Sequence, residues 1–157
     1  MDMSGPGAAY KILIFIHVLA VIAGLGPTYA LPALMKLRGE PPSPAVLRAE
    51  HAISRYATIA VAVVLVTGLG LINESPVVKG HFGDAHWLHL AIALFVVLAG
   101  LGTGYAAPRM RKAAKAGEAG DTAEVRRLLD PLDKVIGPIL GLLLAAIVYL
   151  MVLKPDF

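Results

Sequence analysis

The sequence predicts an all-α membrane protein: a four-transmembrane-helix bundle made of two tandem helix hairpins with pseudo-two-fold symmetry. Three observations carry that prediction. The 157-residue chain is 57% hydrophobic and only 16% charged, whereas charged residues make up about a quarter of an ordinary soluble domain. Its mean hydropathy of +0.73 comes from four uncharged runs, 12–35, 56–73, 85–108 and 135–153, each near the ~20 residues that cross a hydrocarbon layer as helix. Finally, AGLGPTYALPALMK at 23–36 recurs as AGLGTGYAAPRMRK at 99–112, with eight identities in fourteen positions. A duplicated two-helix unit, its halves related by an axis along the membrane normal, is the economical source of such a repeat. Convergent use of small and aromatic residues in membrane helices is the competing explanation.

One polytopic domain, 1–157, is therefore expected, with spans at about 10–35, 46–73, 86–108 and 132–153. The first span could be mistaken for a signal peptide. Its charged region holds only Lys11 and its apolar stretch is too long, since such segments carry 7–15 apolar residues. It also bears half of the repeat, so it is expected to stay. The second helix opens at Ser43-Pro44, which reads as N-cap and first helical position ahead of the apolar run. The first and third spans each end on a tyrosine (Tyr29, Tyr105) and a proline (Pro32, Pro108), an aromatic belt followed by a helix stop. Asp121-Thr122-Ala123-Glu124 resembles a capping box that opens a short helix through Leu129, which Pro131 ends. Val125, Leu128, Leu129 and Leu132 are expected to lay that helix on the membrane surface, with Arg126 and Arg127 towards headgroups. Gly24 with Thr28, Gly100 with Gly104, and Gly137 with Gly141 read as small-residue faces where helices approach closely. GxGxG at Gly100 to Gly104 follows no strand, so it is no phosphate loop.

Charge sets the orientation. Eleven of the fourteen Lys and Arg lie between spans one and two or between spans three and four, leaving Lys11, Lys79 and Lys154 on the other side. The positive-inside rule then puts both termini and the middle loop outside a bacterial-type inner (plasma) membrane. The net charge of +3 reports topology and anionic headgroups rather than nucleic acid, for which no motif is visible. Without cysteine, disulfides, thiolate catalysis and cysteine metal sites are excluded.

The chemistry at depth falls to histidines. His17 precedes Tyr29 by twelve residues and His89 precedes Tyr105 by sixteen, or about 18 and 24 Å of helix. Shifting His89 by the 76-residue repeat lands on Leu13, one turn from His17, so the two occupy equivalent helix faces. If that face looks to the pseudo-two-fold axis, the imidazoles oppose each other, as axial ligands of six-coordinate haem iron do. Hydrogen-bonding glue between helices, and interfacial anchoring of His89 beside Trp87, are the plainer alternatives. His86 and His89, spaced i, i+3, with His81, Asp84 and Glu74 in or beside the same outer loop, offer imidazoles and carboxylates for copper or zinc. His51, between Arg48 and Arg55, is read either as another candidate metal ligand or as a surface residue.

The stretch KILIFIHVLAVIAGLGPTYALPALMK, the Trp87-Leu88-His89 segment and the closing YLMVLKP resemble HemJ-type protoporphyrinogen oxidases. CopD-like copper-resistance membrane domains share this histidine-bearing four-helix style, and the overall likeness is to a family of predicted four-span integral membrane proteins of unknown function. The HemJ resemblance implies haem b inside the bundle, on His17 and His89. It also implies a lysine two residues after the second histidine, where this chain has Ala91, so the oxidase reaction is not carried over. The resulting expectation is a b-type haem-binding protein in electron transfer, with a quinone or periplasmic redox partner and homo-oligomerisation left open. Copper handling at the outer face and a non-catalytic scaffold are the alternatives.

Overall fold

The structure, a computed structural model, describes residues 7–75, 78 and 82–154; Lys79 and His81 lie outside them. Among the described residues there are four long helices and no strand: α1 (Ala8–Leu37), α2 (Pro44–Glu74), α3 (His86–Glu118) and α4 (Thr122–Leu153). All four are long and apolar enough to cross a membrane, and the chain is a multi-pass membrane protein. At 30 to 33 residues each, the helices run about 45–50 Å, well beyond a hydrocarbon layer of about 30 Å. The excess gathers at the end that carries the Leu37–Pro44 and Glu118–Thr122 connections, here termed the basic end.

The four-helix bundle expected from the sequence is observed. α1 packs along α2 and α3 along α4, while the start of α2 packs on the last turns of α3. Three layers of buried side chains fill the interior. Leu47, Met110, Ala113, Ala114 and Val125 belong to the layer at the basic end. Leu25, Ala60, Val64, Leu98, Leu144 and Ile147 bring all four helices together at mid-height, and Val78, Ala85 and Leu88 close the far end. Phe15, Ile22, Val66, Leu142 and Val152 stand exposed on the outside, the surface that acyl chains would cover. Lipid gives such side chains no reason to turn inward.

Three local expectations are corrected. Pro32 and Pro108 do not stop their helices. Each occupies the first turn of an α-segment that resumes after an irregular turn: a wide π-type turn at Val21–Leu25 plus a tight one at Gly26–Ala30 in α1, and a π-type turn at Gly100–Ala106 in α3. α4 repeats the device at Leu132–Ile136, followed by Pro138. An irregular turn drops or reroutes the backbone bond that proline cannot make, so the helix carries on. Pro131 likewise lies inside α4 rather than at its end.

Half of the capping box is present: the Asp121 side chain accepts from the Glu124 amide at 3.0 Å, but the Glu124 carboxylate turns to Arg127 and the Asp121 N–H donates to Ala116 O. The helix it opens is not a separate surface helix. Val125, Leu128, Leu129 and Leu132 are buried against Leu47, Met110, Ala113 and Ala114, because the overhanging ends of α2 and α3 offer them a protein partner in place of the headgroup layer. Among the small-residue faces, only Gly24 closely approaches another helix: a Cβ there would lie 2.1 Å from the Ala60 Cβ, whereas one at Gly137 would lie 2.9 Å from Leu132 O of its own helix. At Gly100, Gly104 and Gly141 a Cβ would meet nothing within 4 Å. These glycines leave space instead of closing it.

Candidate functional site

Gly100 and Gly104 are exposed on the outside of the bundle, whereas Gly141 borders a chamber of about 340 Å³ in the half nearer the basic end. All four helices contribute to it, and its wall is chiefly apolar: Leu25, Pro32, Val61, Leu98, Ala106 and Ile136 are representative. Gly102 and Gly141 also line it, and the irregular turns of α1, α3 and α4 all border it. Such turns interrupt regular backbone bonding and occur often at functional sites.

Five hydroxyl-bearing residues interrupt the apolar wall: Thr28, Tyr29, Ser54, Thr58 and Thr103. Four have committed their protons to backbone carbonyls. Thr28 donates to Leu25 O at 2.5 Å, Thr58 to Ser54 O at 2.9 Å and Thr103 to Ala99 O at 2.7 Å. Tyr29 donates across the bundle to Gly141 O at 3.4 Å. Since a hydroxyl has a single hydrogen, these groups offer a guest only lone pairs.

The floor of the chamber is charged. Arg38, which caps the end of α1, reaches Glu50 of α2 through Nε at 2.8 and 3.0 Å. Its two terminal nitrogens grip Asp133 of α4, the NH2 contact at 3.1 Å. The Glu50 side chain is 0% exposed, Arg38 11% and Asp133 20%. Burial alone would lower the Arg38 pKa; the hydrogen bonds and charges of Asp133 and Glu50 outweigh it and hold the guanidinium above its ordinary value. The triad joins α1, α2 and α4.

Below this floor lies a second, more polar cavity of about 350 Å³, lined by Lys36, Glu40, Arg126 and Asp130 among others. Met35, Arg38 and Asp133 line both cavities. The Arg38–Asp133 pair is thus the partition between an apolar chamber and a polar vestibule.

The histidines are placed elsewhere. His17 faces α2: its Nδ1 lies 2.8 Å from Thr67 Oγ1, whose hydroxyl donates to Val63 O at 2.7 Å. The Thr67 proton being spent, His17 donates from Nδ1, which leaves the lone pair on Nε2. A Cβ at Gly68 would lie 3.4 Å from the His17 ring, so this glycine makes room for the imidazole. His89, at the far end of α3, meets the Phe82 ring edge-on at 4.7 Å, with His86 at 6.4 Å. The structure thus brings His86 and His89 together and gives His17 a different partner. His51 sits on α2 at the basic end, its Nδ1 buried without a hydrogen-bond partner. His81 is outside the described residues, and among those described no three His, Asp or Glu side chains are grouped to hold a metal ion.

Comparison with protein-family profiles, curated proteins and solved structures finds no match for this chain. The site therefore rests on its own geometry. Sequence reasoning missed Arg38, Glu50 and Asp133, counting Arg38 only towards topology. The available signal was an Arg and an Asp at the very edges of apolar runs, where a charge without a partner is costly.

Proposed function

We propose that this protein binds a small, largely apolar molecule in the chamber between its four helices. The observation that carries the reading is the chamber itself. Its volume falls within the range of about 300–1,000 Å³ usual for ligand sites, and apolar walls with a few fixed polar groups are their usual lining. Helix bundles build their sites in this place, from side chains on facing helices. By the positive-inside rule the basic end faces the cytoplasm of a bacterial-type inner membrane, so a guest reaches the chamber from that side or from the inner leaflet.

The test uses purified protein in lipid nanodiscs and the neutral fluorophore 1-aminoanthracene. Saturable binding is expected, and Gly102→Phe abolishes it. A Cβ at Gly102 meets nothing within 4 Å, so the phenyl ring fills the chamber without displacing a helix. Binding that is absent, or unchanged by this substitution, refutes the reading.

One observation favours a second reading, b-type haem with a role in electron transfer to a quinone or periplasmic partner. His17 has its Nδ1 tied to Thr67, and a metal-ligating histidine is ordinarily held in this way through its other nitrogen. The fit is to one ligand: His89, expected to be the second, is packed against Phe82. If bound, haem would supply one-electron redox chemistry, and His17, its ring oriented by Thr67, would hold the iron. A Soret band that His17→Ala removes supports it; a colourless preparation from a haem-replete host rejects it.

A further inference from the structure

We infer that the chamber is selective for a lipophilic organic cation, an apolar body with a protonated amine or quaternary ammonium head that pairs with Asp133. This rests on the chamber's being a ligand site. The charge inventory comes first. Glu50 is wholly buried and accepts from the Arg38 Nε through both carboxylate oxygens, while Asp133 accepts from the two terminal nitrogens. One guanidinium thus serves two carboxylates, and the ionised triad carries one negative charge in excess. Asp133 is where a guest can reach it, being the more exposed of the two carboxylates and the one that lines both chamber and vestibule.

Among the described residues, no cation other than Arg38 forms an ion pair with Asp133. Of the vestibule cations, Arg126 is engaged by Glu40 at 2.9 Å. Lys36 lines the vestibule but not the chamber. Lys134 turns to Asp130 at 2.6 Å. Within the chamber wall itself, Arg38 and Asp133 are the charged residues.

The hydroxyls supply an independent argument. Thr28, Tyr29, Thr58 and Thr103 have given their protons to backbone carbonyls, so they solvate positive charge and have no proton to offer an anion. An anionic guest would face the Asp133 carboxylate and the lone pairs of four of the five lining hydroxyls, Ser54 alone having a proton to offer. A cationic one completes a second pair with Asp133 while Arg38 keeps Glu50. No group needs to be newly buried without a partner, the arrangement that makes a desolvated charge tolerable.

A matched pair of probes isolates the charge: benzyltrimethylammonium and neopentylbenzene differ only by a nitrogen cation in place of a carbon. Each is titrated against bound 1-aminoanthracene in nanodiscs, with free ligand measured by dialysis, and phenylmethanesulfonate serves as the anion. The expected result is displacement by the cation at concentrations at least tenfold lower than by its neutral twin, and none by the sulfonate. Asp133→Asn is expected to erase that preference while still binding the neutral fluorophore, which reports an intact fold; Asp133→Glu restores it. Equal affinities of the matched pair, stronger binding of the sulfonate, or a preference that survives Asp133→Asn overturns the inference and leaves the chamber reading standing. Failure of the fluorophore itself to bind the unsubstituted protein sinks both.

Discussion

Arg38 ties three helices together through two carboxylates, and the consequences of removing each member differ. Loss of Glu50 or Asp133 leaves a balanced ion pair behind. Loss of Arg38 leaves the buried Glu50 and the half-buried Asp133 without their cation, and breaking a buried pair in this way costs about 3–5 kcal/mol. Arg38→Met is therefore expected to destabilise the bundle by about that amount, far more than Glu50→Gln, with the double substitution recovering part of the loss. Detergent-unfolding midpoints of the four proteins measure it; equal losses for Arg38→Met and Glu50→Gln would refute the assignment. His17 offers a gentler case. Interhelical hydrogen bonds in membranes average about 0.6 kcal/mol and reach about 1.7, so Thr67→Val is expected to cost no more than that. A larger loss would mean that the His17–Thr67 bond is part of a network.

At the scale of the element, the two copies of the repeat share a sentence but not a neighbour. Gly24 lies so close to α2 that a methyl group would enter the Ala60 side chain, whereas Gly100 faces open space. Gly24→Ala is thus expected to separate α1 from α2 and lower the unfolding midpoint sharply, and Ala60→Gly to restore it. Gly100→Ala is expected to change little, or to stabilise slightly, since alanine favours helix over glycine by about 1 kcal/mol. Similar losses at both glycines would contradict the asymmetry. The helix interruptions follow the same logic: irregular turn, then proline, three times over. The prolines announce that something breaks regular helix, and the resumption beyond them depends on what the next turn can pack against. For Met110, Ala113 and Ala114 beyond Pro108 that is Leu47, Val125 and Leu128.

For the molecule as a whole, orientation and site are linked, because the vestibule opens at the basic end. With no native cysteine, single cysteines report topology directly. A cysteine at Ala119 is expected to react with a membrane-impermeant maleimide only after the membrane is breached, and one at Gly83 in intact cells. The reverse pattern would place the vestibule outside and reverse the route by which a guest arrives.

Much of this architecture was legible beforehand. Four spans, their order, the hairpin pairing, the Asp121 cap and the Pro44 start all follow from local pattern, because a helix in lipid satisfies its own backbone and its length is set by the bilayer. The expected surface helix and the proline stops were not legible, since both depend on whether a distant segment is there to be packed upon. The candidate site lay further out of reach. Arg38 and Asp133 are separated by 95 residues, and each alone reads as a boundary charge. Composition and periodicity determined that this chain crosses the membrane four times. Only the packing of the helices decided that the glycines at 102 and 141 would frame a cavity and that three boundary charges would meet beneath it, because contact between remote side chains is a property of how surfaces fit, which no local pattern encodes.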